Sequence, residues 1–208
     1  MADEPGLVAG LILAAGASAR LTVGGSVKAN LRWGGRTFLE HGVWNLHDGG
    51  CSPIGVVLGA HGLVVPAPAL EVWAKDWRGG MRSSLRAGLL ALPEGPVLLT
   101  HVDRPRVSVD IVKQLVEYHQ RSARDGRPAL NLVPCYEARN GHPVLLTAQT
   151  RARLVEQDDL PLNEVLYATG FEAVEVDDAC VLEDVNSPEA YAALLSRYPD
   201  GPGRAPGA

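Results

Sequence analysis

Two parts of the sequence carry the residue types that phosphate chemistry needs. The first is a loop of small residues and cations, Leu13-Ala14-Ala15-Gly16-Ala17-Ser18-Ala19-Arg20 followed by Gly24-Gly25-Ser26-Val27-Lys28. Small residues let backbone N–H groups approach a phosphate, and Arg20 and Lys28 can supply the positive charge that a triphosphate requires. The segment predicts a phosphate-binding loop, although a surface turn with two solvated cations fits the loop alone equally well.

Spacing separates this loop from two familiar phosphate motifs. A Walker loop ends in Gly-Lys followed by Ser or Thr, whereas this chain has Val27-Lys28-Ala29. A dinucleotide fingerprint needs three glycines in the pattern GxGxxG, and only Gly16 is in place. The loop therefore belongs to neither class.

The second candidate is Asp103, which directly follows the apolar run 97–102. A buried strand would deliver this carboxylate to the carboxyl end of the sheet, where α/β proteins bind ligands. Hard oxygen ligands suit Mg²⁺, which prefers few protein carboxylates together with phosphate oxygens and water. The alternative is an aspartate that turns the chain ahead of Pro105.

Strand-like and helix-like segments alternate along the chain. Short apolar runs predict buried strands at 7–15, 54–59, 96–102, 129–136 and 172–176. Helical periodicity predicts helices at 37–47, 81–92, 109–122 and 188–197. Alternation implies crossover connections, so we predict a three-layer α/β/α, Rossmann-like fold with a mostly parallel sheet.

The composition limits the classes of partner. Of the 208 residues, 46% are hydrophobic and 21% are charged, as in ordinary globular proteins. The net charge of −5 disfavours nucleic acid and anionic membranes as partners. We expect a single domain over 1–198, followed by a flexible Gly- and Pro-rich tail over 199–208.

The three cysteines, Cys51, Cys135 and Cys180, are far apart and lack CxxC spacing, which favours separate buried thiols over disulfides or zinc. The N-terminus is acidic where a secretion signal would be basic, so we expect a cytoplasmic protein. The sequence has no coiled-coil seam, which leaves the oligomeric state open, with a monomer favoured.

The pattern Leu-Ala-Ala-Gly-x-Ser-x-Arg followed by Lys resembles the signature of the MobA/MocA-like nucleotidyltransferases, which act on molybdopterin. The resemblance runs from about residue 7 to about residue 195 and keeps the family order. The further segments that carry it are Trp77 with Gly80-Met81-Arg82-Ser83-Ser84-Leu85, Val102-Asp103-Arg104-Pro105, Gly141-His142-Pro143-Val144-Leu145 and Asp184-Val185-Asn186-Ser187-Pro188-Glu189.

The resemblance implies a fold of the nucleotide-diphospho-sugar transferase type and a metal-assisted reaction. Arg20, Lys28 and Asp103 would be the catalytic residues. Asp103 and Asn186 would hold Mg²⁺, with Mn²⁺ as a substitute and Asp184 as a reserve ligand. For Asn186 the alternative is a residue that leads into the helix at 188–197.

By the same resemblance, an NTP donates its nucleoside monophosphate to a phosphate-bearing acceptor, with CTP favoured and GTP next. Three residues, Gly141, His142 and Pro143, would line the acceptor side. The residues that would bind the nucleotide are Leu13, Ala14, Ala15, Gly16, Ala17, Ser18, Arg20, Lys28, Gly59, Ser83, Ser84 and Asp103.

Molybdopterin is the acceptor that the resemblance favours. A sugar phosphate, a polyol phosphate or phospholactate would need the same chemistry. One departure from the family keeps these acceptors open: Leu160-Pro161-Leu162-Asn163-Glu164 stands in place of a Gly-Ala-Arg element. A second departure, a longer connection between Arg20 and Lys28, would displace the lysine and motivates a different class. A noncatalytic nucleotide- or cofactor-binding maturation protein is the alternative from another class.

Overall fold

The computed structural model describes residues 7–17, 21–157 and 160–202. The strands are β1 (Ala9–Leu13), β2 (Thr22–Val23), β3 (Ser26–Val27), β4 (Arg32–Trp33), β5 (Arg36–Thr37), β6 (Ile54–Leu58), β7 (Leu70–Trp73), β8 (Val97–His101), β9 (Asn131–Tyr136), β10 (Arg139–Asn140), β11 (Val144–Leu146) and β12 (Phe171–Glu175). The α-helices are α1 (Phe38–Asp48), α2 (Met81–Ala91), α3 (Val109–Arg124), α4 (Ala148–Glu156), α5 (Leu162–Thr169) and α6 (Pro188–Arg197).

One large, mostly parallel sheet organises the molecule. The central pairs β8–β1, β1–β6 and β6–β7 are parallel, and β12 runs parallel to β9. Strand β11 is inserted antiparallel between β8 and β9. The loops after β8, β1 and β6 therefore leave the same edge of the sheet side by side.

The helices cover both faces of this sheet, which confirms the predicted three-layer α/β/α fold. Along β1, Leu11 and Leu13 face one side and Ile12 the other, as a pleated strand requires. Helices α1 and α3 pack on the Ile12 face, while α2, α4 and α5 pack on the opposite face. Full burial of β1, β6 and most of β8 explains their continuous apolar runs.

Two short hairpins and α6 form a third apolar cluster beside the sheet edge. The turns of the hairpins, Gly24-Gly25 and Gly34-Gly35, have positive φ at both residues, which glycine adopts without strain. Leu21, Trp33 and Phe38 pack there with Val185 and Leu194 from the end of the chain. The Trp33 indole also donates to the Tyr198 carbonyl at 2.7 Å.

The structure adds elements that the periodicity did not predict. Helix α4 has little apolar periodicity, because it buries Thr150 and Arg151 beside Leu154. The Arg151 guanidinium donates to main-chain carbonyls at the C-terminal end of α2, including Leu89 and Leu92, both at 2.5 Å. Within the described ranges, no helix has the length and apolar character needed to cross a membrane.

Candidate functional site

A cavity of about 380 Å³ opens at the edge of the sheet where β1, β6 and β8 end. Its volume lies in the range of small-molecule sites. Predicted nucleotide-binding residues in its wall are Leu13, Ala14, Ala15, Gly16, Ala17, Lys28, Ser84 and Asp103. The strand-end rule therefore located the cavity from sequence.

The backbone after β1 is fixed by the neighbouring strands. Ala14 N–H donates to the Val57 carbonyl at 3.0 Å, and the carbonyl of Ala15 accepts from Ala60 N–H at 3.0 Å. Gly16 and Ala17, which follow, are exposed at the cavity. These bonds hold the start of the loop rigid and leave its later residues to meet a ligand.

Two polar residues of the cavity wall, Lys28 and Asp103, form a cluster with Asn186. The Lys28 ammonium lies 3.0 Å from Asp103 Oδ2 and also donates to Asn186 Oδ1. The side chains of Lys28 and Asp103 are only 15% and 19% exposed, so the pair is mostly shielded from water. The structure thus brings together three residues that the sequence singled out.

Separate elements deliver these three side chains. The β2–β3 hairpin occupies the longer connection before Lys28, and Lys28 itself begins a 3₁₀ turn. Asp103 follows β8, and its carbonyl accepts from Val185 N–H at 2.8 Å. Ser187 is the N-cap of α6, so the Asn186 side chain is not needed for capping and faces Lys28 instead.

The serines at the start of α2 differ in position. Ser84 lines the cavity and donates to the Gly80 carbonyl at 3.3 Å, whereas the Ser83 hydroxyl donates to the Asp76 carbonyl at 2.5 Å. Gly80 is the N-cap residue, without a side-chain cap. Ser84 is therefore the serine that a ligand in the cavity would meet.

The predicted acceptor residues lie one layer behind the cavity wall. Gly141 leaves no room for a side chain, because a Cβ would collide with the Val181 carbonyl. The His142 ring packs edge-on against His101, with ring centroids 5.1 Å apart, and His101 is the residue that lines the cavity. Gly141, His142 and Pro143 do not appear in the cavity wall itself.

Both imidazoles of this pair are held in the neutral form by burial. Burial lowers the pKa of His101, although the Asp103 carboxylate acts in the opposite direction. Burial lowers the pKa of His142 to about 3, and the Arg104 guanidinium contributes in the same sense. His142 Nδ1 is buried without a hydrogen-bond partner.

The two arginines beside Pro105 are engaged within the protein. Arg104 donates to the carbonyls of Val181 and Glu183 at 3.1 and 3.2 Å. Arg106 contacts Glu183 at 2.7 Å and Asp178 at 3.3 Å. These cations hold the segment before α6 against the end of β8.

The metal prediction can be tested against the ligand geometry. The oxygens of Asp103 and Asn186 converge on one cation, the Lys28 ammonium, which stands in for an ion at that point. No group of three or more His, Cys, Asp or Glu side chains in the described residues is arranged to hold a metal. Two protein oxygens are nevertheless compatible with Mg²⁺, because this ion takes few protein ligands and completes its shell with phosphate oxygens and water.

Several cavity residues were not predicted. His61 follows β6 and contacts the Ala17 carbonyl at 3.1 Å, so the strand-end rule was the signal that could have found it. Leu63, Trp77 and Met81 form an apolar wall that no spacing rule indicates. Gly59 lies beneath that wall, where a Cβ would approach the Trp77 Cβ to 2.6 Å.

Two predicted residues of the loop, Ser18 and Arg20, lie outside the described residues.

A loop of small residues, a mostly shielded lysine–carboxylate pair and an apolar wall lie together at the carboxyl ends of the strands, where α/β proteins of this class bind ligands. The chain belongs to the MobA-like NTP transferase domain family, which matches residues 10–173. It is thus a member of a nucleotidyltransferase family.

Two relatives of known sequence have names that describe different reactions. The chain is 36% identical over 150 residues to the nicotine blue oxidoreductase of Paenarthrobacter nicotinovorans, covering 69% of this chain and 72% of that one. It is 23% identical over 195 residues to the molybdenum cofactor cytidylyltransferase of Escherichia coli, covering 90% and 95%. The chain is thus similar to proteins named for two kinds of reaction.

The fold is shared with solved structures at low sequence identity. The structure of Rv0371c from Mycobacterium tuberculosis superposes with a TM-score of 0.72 at 21% identity, covering 91% of this chain and 98% of that one. A second structure of Rv0371c, with a TM-score of 0.66 at 20% identity and coverage of 91% and 98%, is a complex with manganese. These likenesses establish the architecture.

Proposed function

We propose that this nucleotidyltransferase transfers a nucleoside monophosphate from an NTP to a phosphate-bearing acceptor and requires a divalent metal. In the reaction, an oxygen of the acceptor phosphate forms a bond to the α-phosphorus of the NTP. The bond from the α-phosphorus to the bridging oxygen breaks, and pyrophosphate leaves. The observation that carries the proposal is the convergence of Lys28, Asp103 and Asn186 on one point beside the loop after β1.

The reaction needs no protein nucleophile and no general base, because an acceptor phosphate is already ionised near neutral pH. Catalysis then depends on positioning and on stabilising negative charge. Lys28 would hold phosphate oxygens once it leaves Asp103, and the rigid start of the loop fixes where the phosphates lie. We assign Arg20 to the same phosphates.

Asp103 and Asn186 would hold the metal. When bound, Mg²⁺ or Mn²⁺ would neutralise charge on the phosphates. The protein contributes the site itself, a mostly shielded carboxylate beside an amide oxygen. Shielding matters because electrostatic interactions strengthen when water is excluded.

For the substrates, we propose CTP before GTP, and molybdopterin as the acceptor. The support is the family membership, the cytidylyltransferase relative that matches over 90% of this chain, and the Gly141-His142-Pro143 segment. A sugar phosphate, a polyol phosphate or phospholactate would use the same chemistry and belongs in the same assay. We also propose a cytoplasmic location, since three free buried cysteines suit a reducing compartment.

The test has two stages. Thermal shifts with CTP, GTP, ATP and UTP, each with Mg²⁺, identify the base, because a ligand that binds only the folded state raises its melting temperature. Pyrophosphate release is then followed with the preferred NTP and each acceptor. Tight NTP binding without pyrophosphate release from any acceptor would favour a noncatalytic nucleotide-binding protein.

The oxidoreductase relative supports a second candidate, a reductase built on the same fold. It is the more similar of the two relatives in sequence, and the apolar wall of Leu63, Trp77 and Met81 suits a planar ring. The three cysteines are separate buried thiols, so they do not form a dithiol pair that could supply the electrons. The assay therefore adds NADH or NADPH as the electron donor. Consumption of NADH or NADPH with nicotine blue as acceptor, without pyrophosphate release from any NTP, would favour the reductase.

A further inference from the structure

Trp77 occupies a position in the cavity that the transfer chemistry does not explain. It lies in the 3₁₀ turn before α2, half-buried, with part of its side chain in the cavity wall and part against the core of the sheet. An aromatic ring that is fixed in place and partly open to a ligand cavity is a ready stacking surface.

Two contacts position the indole, and two further side chains extend the apolar wall beside it. Gly59 lacks a side chain, and a Cβ there would lie 2.6 Å from the Trp77 Cβ, so glycine permits the close approach. The Arg78 guanidinium lies 4.6 Å from the centre of the indole ring, a cation–π contact. Leu63 and Met81 continue the apolar wall on either side of Trp77 along the chain. A ligand would therefore meet an indole ring that is already held in position.

The polar and apolar ends of the cavity lie over different strands. Asp103 follows β8, the loop of small residues follows β1, and Gly59 with Trp77 lies at the end of β6. Strands are about 4.8 Å apart, so β8 and β6 are separated by roughly 10 Å across β1. A ligand with an anionic end and a planar ring would therefore lie across the sheet edge, with its anionic end toward Lys28 beside Asp103 and its ring toward Trp77.

We propose that Trp77 is the stacking platform for the nucleobase of the NTP. This inference rests on the proposed function. The triphosphate lies over the loop and Lys28, and the base lies against the indole. Stacking on an aromatic ring depends little on which base is present, so Trp77 supplies affinity, and polar groups at the cavity select the base.

The experiment compares wild type with Trp77→Leu and Trp77→Phe by equilibrium dialysis with CTP and GTP in the presence of Mg²⁺. We expect Trp77→Leu to weaken NTP binding by roughly 10-fold or more, as for loss of a base–aromatic stack, and Trp77→Phe to retain most of it. Inorganic tripolyphosphate, which has no ring, should bind the wild type and Trp77→Leu equally.

A second tryptophan provides a matched control. Trp44 on α1 also lies beneath a guanidinium, that of Arg36 at 5.7 Å, but is absent from the cavity wall. Bound NTP should quench the fluorescence of wild type and Trp44→Phe, and this quenching should disappear in Trp77→Phe. A correctly folded Trp77→Leu that binds NTP as tightly as wild type would overturn the stacking role alone. Failure of the wild type to bind any NTP would overturn the proposed function together with it.

Discussion

The Lys28 ammonium lies 3.0 Å from the Asp103 carboxylate, at the point where the amide oxygen of Asn186 also converges. A lysine and a metal ion cannot both occupy that point. If Asp103 and Asn186 hold the metal as proposed, the Lys28 ammonium would have to move away from them when a metal–NTP complex binds, and the phosphates would be its new partners. The proposed metal site and the proposed phosphate contact therefore depend on the same lysine.

Replacement of Asp103 by asparagine tests the central assignment. We expect Asp103→Asn to lower turnover by roughly 100-fold or more, because a preorganised charge at the reacting phosphates is lost. Asp178→Asn is a matched control, since Asp178 also pairs with a cation, Arg106, at 3.3 Å, but lies away from the cavity. The turnover of both variants is measured as the steady-state rate of pyrophosphate release, and Asp178→Asn should keep the wild-type rate. Near-normal turnover in Asp103→Asn would remove the carboxylate from the mechanism.

The choice between Asn186 and Asp184 as second metal ligand can be made by Mn²⁺ titration followed by electron paramagnetic resonance. Asn186 contacts Lys28, whereas the side chain of Asp184 is exposed. We expect Asn186→Ala to weaken Mn²⁺ binding, Asp184→Asn to leave it unchanged, and Asn186→Asp to tighten it by adding a carboxylate. Weaker binding in Asp184→Asn together with normal binding in Asn186→Ala would reverse the assignment.

The sequence predicted those elements of the fold that leave a pattern in consecutive residues. Buried parallel strands are continuous apolar runs, and β1, β6 and β8 were recognised for that reason. Helix α4 was missed because its buried face includes Arg151, whose partners are carbonyls more than fifty positions away. A short helix with a buried cation has no apolar period to detect.

The candidate site, like the fold, could be predicted from the sequence only in part. Asp103 and the loop after β1 follow from the rule that ligands lie at strand ends, and the structure brings them to one cavity. The contact of Lys28 with Asn186 joins residues 158 positions apart and depends on the packing of two hairpins against α6. The Gly24-Gly25 pair was interpreted as part of the phosphate loop, but it is the turn of the β2–β3 hairpin. Two glycines in succession are a hairpin signal, which the loop interpretation concealed.

The packing of Gly59 beneath Trp77 predicts a selective effect of adding one methyl group. In Gly59→Ala the new Cβ would lie 2.6 Å from the Trp77 Cβ and 2.7 Å from the Ala15 carbonyl, so one of them must move. We expect a loss of about 1–3 kcal/mol in the free energy of unfolding, as for other overpacked sites. For a domain of this size the melting temperature should fall by roughly 2–10 °C.

Gly62→Ala is the control for this substitution, because no atom lies within 4 Å of a Cβ built there and the backbone φ is not positive. It should leave the melting temperature unchanged or raise it slightly by restricting the unfolded chain. NTP binding should weaken in Gly59→Ala and not in Gly62→Ala. Equal melting temperatures for the two variants would mean that Trp77 is not held against the end of β6.

The stability of the protein should depend on pH through the buried imidazole of His142. Burial, with Arg104 and His101 acting in the same direction, lowers the pKa of His142 to about 3 in the folded state, while a histidine in the unfolded chain has a pKa near 6.5. Above pH 6.5 the imidazole is neutral in both states and contributes no pH dependence. As the pH falls below 6.5, the unfolded chain binds a proton that the folded chain does not, so the free energy of unfolding decreases.

The slope is at most about 1.4 kcal/mol per pH unit for one group, and the loss between pH 6.5 and pH 5 is about 1.6 kcal/mol because the unfolded imidazole is only half protonated at pH 6.5. The free energy of unfolding of wild type and His142→Gln is measured with urea at both pH values. For each protein the difference between the two pH values is compared, because any destabilisation that is the same at both pH values then cancels. We expect a smaller difference in His142→Gln than in wild type. His101, whose pKa burial also lowers, accounts for part of the dependence that remains. If His142→Gln and wild type lose the same stability on acidification, the proton is taken up elsewhere and the His142 imidazole is not held neutral by burial.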